Sequence, residues 1–589
     1  HHEEKQTLSF FKSPLREHGH VTHHDHSVHP DIESKPVDPR LATSAPSENQ
    51  DGDIHDDPNF HHHAEATTAE LFYDLFFVAN LTTFTANLEI NDNSSLKAYV
   101  GFFCLLWLTW YQVTLYDVCF STDSVSERVA KAIHFSVMVG FAIMGVEWKV
   151  GQYVKDFHIY KAFGYVLVVS CVTLFLQYGV TLLYCKKYRK TVKPILRAMG
   201  FTLLSAILYG ALTPAFPKEK FTGALDDFGD PIPRLQKSNV YIAWYVIGIC
   251  ETALTVAVSC KWRIISFKGT HMVQRMSLLT LIILGEGIIV ICKSISKVIK
   301  NDYHWTSQVS GQVICAVLII YFLYMLYFDR MHKEHFGTIK QQIWSFTHFP
   351  LHVVFVLVLQ GISLLIIWRQ AVILLSGTYN DLFNVASTAI NEQSFKNGSQ
   401  LYFEMNQTAY LRVFNHVSKN VDPEKALLQL DSGLKQMANA YGFLGKSASN
   451  ATAVSEINNG FSVVYAACVK TLFDTLSVSV SKKQAVNLEK NKDADAMLAA
   501  YVNVFELVYS YVFIAGGFSL IITTFLGTIS LPSHWKRLSQ YIRLDLNYLF
   551  GIALVLLCAV RFKKTAFEKY IVSSWMIPTI ALVYFVCVI

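Results

Sequence analysis

Twelve apolar runs, each long enough to cross a lipid bilayer, follow residue 67 of this 589-residue chain. A helix needs roughly 20 predominantly apolar residues to cross the hydrocarbon core, which is about 30 Å thick. Because backbone groups in lipid must find hydrogen bonds within the protein, we expect these runs to fold as helices. We therefore predict an all-α, polytopic transmembrane helical bundle of about 12 spans. The runs cover roughly residues 68–88, 97–119, 130–148, 160–185, 195–215, 239–260, 276–298, 308–328, 345–375, 500–530, 545–561 and 570–589.

The overall composition agrees with a membrane protein. Hydrophobic residues make up 52% of the chain and charged residues only 16%, with a mean hydropathy of +0.31. The net charge of +5, from 50 basic and 45 acidic side chains, is too small to indicate nucleic-acid binding. Ten of the eleven cysteines lie in or beside apolar runs, so the pattern predicts no disulfide framework, metal site or cofactor.

The chain divides into four regions. Residues 1–64 are polar and lack a hydrophobic period, which predicts a mostly disordered cytoplasmic tail. Twelve of the 22 histidines lie there, and they either bind a transition metal or belong to a solvated tail that binds metals only adventitiously. Residues 65–375 would form a transmembrane core of about nine spans, and 500–589 the C-terminal transmembrane helices. Residues 376–499 contain amphipathic helical patterns and predict a helical insertion on the extracellular or lumenal side.

Lys and Arg residues in the short loops predict the orientation. Basic loops follow the fourth, sixth, eighth and tenth spans, which places them and both termini in the cytoplasm. Lys293, Lys297 and Lys300 lie on the opposite side and argue weakly against this. Four N-x-S/T sequons fall in the loops predicted to be outside, where they would be glycosylation acceptors in a eukaryotic plasma membrane or endomembrane. The acceptor residues are Asn93, Asn397, Asn406 and Asn450.

The first span carries two carboxylates, Glu70 and Asp74, in a segment that is otherwise almost entirely apolar. Their i, i+4 spacing places both on one face of a helix. A charge in a spanning helix costs about 2.5–3.5 kcal/mol, so such a group is expected to face the bundle interior and is a candidate for function. The alternative is a helix-start pair at the positive end of the helix dipole.

Other spans carry further ionisable groups, and several of them fall in the predicted cytoplasmic half, while Glu251 and Glu286 lie near the midplane. One interpretation is a polar vestibule that leads to a pair of carboxylates and binds a cation or relays protons. The alternatives are structural ion pairs and neutral carboxylic acids that hydrogen-bond between helices. The candidates for transport or permeation are Asp74, Asp117, Glu251, Glu286 and His348, and the candidates for structural ion pairs are Glu70, Arg275, Asp329 and Arg330.

The ninth span begins with His348 and His352, whose i, i+4 spacing resembles a zinc-binding face. The glutamate of an H-E-x-x-H site is missing between them, so a hydrolytic metal site is weakly supported and we predict none.

Five segments, in a fixed order, resemble one family of membrane proteins. They are HHHAEATTAELFYDLFFVANLTTFT at 61–85, WYQVTLYDVCFSTDSVSERV at 110–129, THMVQRMSLLTLIILGEGIIVI at 270–291, YFLYMLYFDRMH at 321–332 and WSFTHFPLHVV at 344–354. Together they resemble the low temperature requirement A (LtrA) family, in a form similar to its fungal members, over roughly residues 65–370.

The resemblance implies a polytopic membrane protein, but the family name refers to growth at low temperature and implies no biochemical activity. Asp117, Asp123 and Arg128 fall on the family pattern. Gln274 departs from it, because the pattern has a glutamate beside Arg275. The departure removes a candidate charge partner of that arginine.

Three hypotheses for function remain open. The first is an ion or small-solute transporter or channel, with or without proton coupling, that uses the intramembrane carboxylates. The second is an intramembrane lipid-modifying enzyme, although neither a nucleophile motif nor a complete set of metal ligands is visible. The third is a non-catalytic scaffold or stress-response sensor. The expected partners are membrane lipids and a cation or proton, with no nucleic acid, and the small residues on the spans are compatible with a homodimer.

Overall fold

A computed structural model describes residues 9–15, 65–225, 231–262, 270–300, 306–331, 338–419, 421–444, 450–490, 493–530 and 538–589. The twelve histidines of the N-terminal tail lie outside the described residues. The helices are α1 (Thr68–Asn87), α2 (Asn93–Phe120), α3 (Val125–Val146), α4 (His158–Cys185), α5 (Arg189–Leu212), α6 (Tyr241–Lys261), α7 (Met272–Lys300), α8 (Ser307–Phe328), α9 (Thr338–Asn391), α10 (Gly398–Arg412), α11 (Glu424–Tyr441), α12 (Asn450–Thr475), α13 (Lys482–Lys490), α14 (Ala494–Ser530), α15 (Leu538–Leu557), α16 (Lys564–Val572) and α17 (Met576–Val588). Short 3-10 helices cover Thr213–Ala215, Phe414–His416 and Cys558–Phe562, and strands β1 (Phe221–Leu225) and β2 (Pro231–Pro233) pair antiparallel between α5 and α6.

The predicted all-α polytopic bundle is confirmed. Ten of the described helices are long and apolar enough to cross a membrane, and the pair α16 and α17, which meet at an 85° bend, passes the same test together. The remaining predicted run, residues 68–88, corresponds to α1. This helix is not among those that pass the test of length and hydropathy. The described residues therefore contain ten helices of this kind, or eleven with the bent pair.

Helix α2 lies at the centre of the bundle, because 89% of its apolar window is buried by other parts of the chain. Helices α3 and α15 are peripheral, with 33% and 22% of their windows buried. The contacts between α9 and α14 show the relative direction of these two spans. Gly361 of α9 packs against Val512, and Trp368, seven residues later, packs against Phe505, seven residues earlier, so the two helices are antiparallel.

Helix α9 is 54 residues long, which corresponds to about 80 Å of helix and exceeds the thickness of a bilayer. Its far end carries α10 to α13, which we call the cap. Phe473 of α12 stacks on Tyr501 of α14 with ring centroids 3.9 Å apart, and the Tyr465 hydroxyl donates to the Leu375 carbonyl of α9. The cap thus packs on the ends of α9 and α14, and we call the adjacent end of the bundle the cap face.

The sequons cluster at the cap face. The Asn91 side chain, two residues before Asn93, donates to the Ser479 hydroxyl in the link that follows α12. Asn397 caps the start of α10, Asn406 lies within α10, and Asn450 is the first residue of α12. All four acceptor residues therefore lie at one end of the molecule, as a single exposed side of the membrane requires.

Part of the predicted N-terminal tail is described and contacts the bundle. The amides of Val125 and Ser126, at the start of α3, donate to the carbonyls of Ser9 and Phe10 at 3.1 and 3.0 Å. These bonds use backbone donors that a helix start leaves without partners inside the helix. Residues 9–15 therefore lie against the α2–α3 link, on the side opposite the cap.

Helices α14 and α15 pack closely enough at one glycine for a test. A Cβ atom on Gly517 would collide with the Gly551 carbonyl oxygen and with Val555. We expect Gly517→Ala to lower the free energy of unfolding by about 1–3 kcal/mol, because backbone must move apart to admit the methyl group. Thermal unfolding of the detergent-solubilised protein measures this loss of stability.

Gly200→Ala is the matched control, since no described atom would lie within 4 Å of its Cβ. It should leave stability unchanged or raise it by up to about 1 kcal/mol, and equal losses in both variants would contradict the close packing.

Candidate functional site

Helices α1 and α7 lie side by side and place polar residues against each other along their length. The separations in sequence between contacting residues are 201, 201 and 204, so both helices run in the same direction in nearly constant register. This is the direction that alternating spans require for the first and seventh helices. We call this row of contacts the α1–α7 seam. In order towards the cap face, its pairs are Glu70 with His271, Asp74 with Arg275, and Thr82 with Glu286.

The first two pairs form one charged cluster, made of Glu70, Asp74, His271 and Arg275. The Arg275 guanidinium donates to Asp74 Oδ1 at 2.8 Å and lies 3.5 Å from Glu70 Oε1. His271 Nε2 lies 3.1 Å from Glu70 Oε2. All four side chains are buried. Such a cluster is stable in a membrane interior only when each charge faces a partner.

Helix α2 completes the cluster from the centre of the bundle. The Trp110 indole N–H donates to Asp74 Oδ1 at 2.8 Å, and Arg275 Nη2 is 3.4 Å from the Thr114 hydroxyl. The guanidinium carbon also lies 5.7 Å from the Trp110 ring centroid. Asp74 is therefore held by an indole and a guanidinium, while its Oδ2 has no hydrogen-bond partner among the described residues.

The start of α1 explains why Glu70 is in position. Thr67 is the N-cap, and its hydroxyl accepts from the Glu70 amide while the Glu70 carboxylate accepts from the Thr67 amide at 2.7 Å. This capping box satisfies two backbone donors that would otherwise lack partners. Glu70 therefore acts both as a helix-start residue and as a member of the cluster, so the two interpretations of the sequence are compatible.

The cluster carries an unequal number of charges. Two carboxylates face one guanidinium, so the set has one excess negative charge when both carboxylates are ionised and His271 is neutral. Addition of one proton, or of one monovalent cation, would neutralise it. Charge balance in a desolvated site is strongly favoured, because the Coulomb energy is weakly screened there.

Asp117 lies one turn beyond Thr114 on α2, but it belongs to a different ion pair. Lys131 of α3 approaches Asp117 Oδ2 at 3.1 Å, and both side chains are largely buried. Asp117 thus lies beside the charged cluster without contacting its members directly.

Glu286 lies deeper in the seam, about 16 Å along α7 from Arg275 at the helical rise. The Thr82 hydroxyl of α1 donates to Glu286 Oε2, and Oε1 has no hydrogen-bond partner among the described residues. Towards the cap face, the seam opens into a cavity of about 660 Å³, which we call the cap-side cavity. Glu89 of the α1–α2 link and Lys293 and Lys297 of α7 line it.

Glu251 occupies a separate place, so the structure does not bring the two midplane glutamates together. It lines a cavity of about 20 Å³ with Gln112, Ser170 and Tyr209, between α2, α4, α5 and α6. That volume is close to the space of one water molecule. Within the described residues, no contact or cavity joins Glu251 to Glu286.

His348 and His352 are both held by hydrogen bonds. The Trp107 indole can only donate, so His352 Nδ1 accepts from it at 3.0 Å, and the Nε2 proton points to the Thr280 hydroxyl at 2.8 Å. His348 Nδ1 faces the Trp344 carbonyl at 2.8 Å and therefore donates. Its Nε2 then accepts from the Tyr327 hydroxyl at 2.7 Å. Every ring nitrogen is therefore satisfied when both histidines are neutral.

Asp329 and Arg330 do not bind each other among the described contacts. The Arg330 guanidinium donates instead to the Thr524 hydroxyl at 3.1 Å and to the Cys587 carbonyl at 3.2 Å. It therefore joins α14 and α17 to the end of α8.

A further buried carboxylate escaped the sequence analysis. Glu127, in the first turn of α3, accepts from the Tyr116 hydroxyl and from Gln177 Nε2, each at 2.8 Å. Gln177 Oε1 is 2.9 Å from His134 Nε2. Two signals could have revealed the cluster: Glu127 and His134 are seven residues apart and so share a helix face, and Gln177 is a lone amide in an apolar run.

One of three comparisons with known proteins found a match. The family model described as "Bacterial low temperature requirement A protein (LtrA)" matches residues 65–395, more than half of the chain. The chain belongs to the LtrA family. No curated protein and no solved structure matches it. The seam and the charged cluster lie inside the matched region, whereas most of the cap and the helices from α14 onwards lie outside it.

Two positions of the LtrA pattern acquire a structural meaning. The Gln274 side-chain carbonyl accepts from the Ala66 amide at 3.1 Å, so it holds the chain before α1 rather than pairing with Arg275. Asp123 and Arg128 form an exposed ion pair at 2.9 Å, and the guanidinium holds the pKa of Asp123 below its ordinary value. An exposed pair of this kind contributes about 0–1 kcal/mol to stability.

The charged cluster predicts a specific pattern of stability changes. We expect Arg275→Met to destabilise the solubilised protein by about 3–5 kcal/mol, because it leaves buried carboxylates without their cation. Adding Asp74→Asn should restore part of that loss, since the second change removes one of the uncompensated charges. Thermal unfolding of both single variants and the double variant measures the coupling. If the double variant loses at least the sum of the two single losses, the two side chains do not compensate each other.

Proposed function

We propose that this LtrA family protein is a transporter or channel for an ion or small solute, with the α1–α7 seam as the route of a proton or monovalent cation. The observation that carries the proposal is the row of buried polar groups between two parallel helices, with the charged cluster at one end and the cap-side cavity at the other. Intramembrane ionisable groups are costly and mark ion pathways and proton relays.

The length of the seam supports this proposal. From Arg275 to Lys297, α7 advances by about 33 Å at the helical rise, close to the thickness of the hydrocarbon core. Polar groups of α1 and α7 thus occur near both membrane surfaces and, at Glu286, between them. A route needs such intermediate positions, because a bare proton or cation is not stable in the apolar interior.

The charge count of the cluster supports a proton or cation as the moving species. One added positive charge neutralises the set of two carboxylates and one guanidinium. His271 contacts Glu70 directly, so a positive charge held on its ring would lie next to one of those carboxylates. The cluster can therefore alternate between a state that holds the extra charge and one that has released it.

A flux measurement tests this function. We expect the purified full-length chain in proteoliposomes to dissipate an imposed proton, sodium or potassium gradient, as reported by an internal pH dye or cation dye. Glu286→Gln should lower that flux at least about tenfold, since it removes the intermediate charge while keeping the shape of the side chain. Glu251→Gln is the matched control: it makes the same change in a buried glutamate away from the seam.

The outcomes separate the hypotheses. Loss of flux in the Glu286 variant with retention in the Glu251 variant supports the seam. Loss in the Glu251 variant alone would move the route to the cavity between α2, α4, α5 and α6. An absence of flux in well-folded wild-type protein, under every gradient, would contradict a transporter and leave the scaffold and lipid-modifying hypotheses.

We also propose that the cap faces the extracellular or lumenal side and that both termini lie in the cytoplasm. The sequons at the cap face and the basic loops at the other end support this orientation.

When the chain is expressed in a eukaryotic cell, we expect Asn397→Gln to remove one glycosidase-sensitive mobility shift, because Asn397 is exposed on the cap. Even without a glycan, a cap that protease added on the cytoplasmic side cuts only after the vesicle membrane is permeabilised would support the orientation. Cutting of the cap from the cytoplasmic side in sealed vesicles would contradict it.

A further inference from the structure

The cap-side cavity is far larger than a proton or a cation needs. Its volume is about 660 Å³, within the range of about 300–1,000 Å³ found for sites of small organic molecules. Four parts of the chain enclose it: the end of α1 with its following link, the last turns of α7, the middle of α9, and α14. The Ser477–Ser479 link of the cap lies over it.

Apolar side chains form one part of the wall. Phe505 and Val508 of α14 are fully buried at the cavity, and Leu364 and Ile367 of α9 lie beside them. On α7, Ile288 and Ile289 line the cavity while remaining about half exposed, at 50% and 45%. The cavity therefore has an apolar wall that continues onto the lipid-facing side of α7.

Positive charge dominates the other part. Lys293 and Lys297 of α7 face one carboxylate, Glu89, and these are the charged side chains that line the cavity within the described residues. Glu89 is already engaged, since it accepts a hydrogen bond from the Ser479 hydroxyl and is attracted to Lys297. The lining thus has one excess positive charge, which a single anionic group would neutralise.

One buried polar atom points to a ligand independently of the lysines. Gln360 of α9 lines the cavity and is only 9% exposed, and its Oε1 has no hydrogen-bond partner among the described residues. A buried carbonyl oxygen without a donor is unfavourable, so a donor group on a bound molecule, or a water molecule held with it, would be favoured there.

From these observations we propose that the cap-side cavity binds an amphipathic organic monoanion, with its acidic head at Lys293 and Lys297 and its apolar body against α9 and α14. A bilayer lipid with one anionic headgroup and a water-borne organic acid share this chemistry. The inference goes beyond the proposed ion route, because binding at the cavity is measured without any flux.

The test is an equilibrium binding measurement on the full-length chain in nanodiscs of zwitterionic lipid. We expect radiolabelled octanoate to bind saturably and the neutral analogue methyl octanoate, which like octanoate has no hydrogen-bond donor, to bind at least about tenfold more weakly. Lys293→Gln with Lys297→Gln should weaken octanoate binding by a similar factor. Lys396→Gln, which removes a charge from the cap surface away from the cavity, is the matched control and should bind as the wild type does.

A second arm identifies the source of the anion. The same protein is incorporated into nanodiscs that contain phosphatidylglycerol, and bound octanoate is measured again. Displacement of octanoate by this lipid in the wild type supports a bilayer source, and retention of octanoate supports a water-borne acid. Both outcomes require saturable octanoate binding that depends on the lysines.

The proposal is wrong if octanoate does not bind saturably, if methyl octanoate binds equally well, or if the double lysine variant binds like the wild type. Lys293→Gln alone covers the case of a poorly folded double variant, because Lys293 is exposed in the cavity and its loss leaves Lys297 beside Glu89. Glu286→Gln separates this proposal from the ion route: it should lose flux while keeping octanoate binding.

Discussion

The burial of Arg275 against two carboxylates is the interaction on which the core of this LtrA family protein depends. A guanidinium without a partner in a membrane interior would cost several kcal/mol, so α1 and α7 can approach only in the register that brings Glu70 and Asp74 to it. Trp110 adds a third helix to the same point, because its indole N–H donates to the same Asp74 oxygen that the Arg275 guanidinium contacts. The cluster therefore fixes the relative positions of α1, α2 and α7.

The register set by the cluster has consequences along the whole seam. Since the two helices are parallel, each turn towards the cap face places another residue of α1 against its counterpart on α7. Thr82 reaches Glu286 in this way, and beyond it the helices border the cap-side cavity. An ion route along the seam and an anion site at its end are separate proposals, and the same register of α1 against α7 positions the residues of both.

Another polar cluster in the bundle has matched donors and acceptors. His348 and His352 use every ring nitrogen in a hydrogen bond that suits neutral rings, three to neighbouring helices and one to the Trp344 carbonyl of their own helix. Such fully satisfied networks specify the arrangement of helices without an excess charge. The charged cluster of the seam differs, because its two carboxylates outnumber its single guanidinium.

The sequence alone determined the fold class, the family and the positions of the helices, since membrane-length apolar runs and ordered motifs are local features. It also indicated that Glu70 and Asp74 share a face. Only the tertiary structure decided which charges meet. Asp74 pairs with Arg275, 201 residues away, while Asp117 pairs with Lys131 and Arg330 binds α14 and α17 instead of its neighbour Asp329. Glu251 and Glu286, alike in sequence context, face different helices. The reason is physical: helical periodicity gives the face on which a residue lies, but the partner of that face depends on long-range packing.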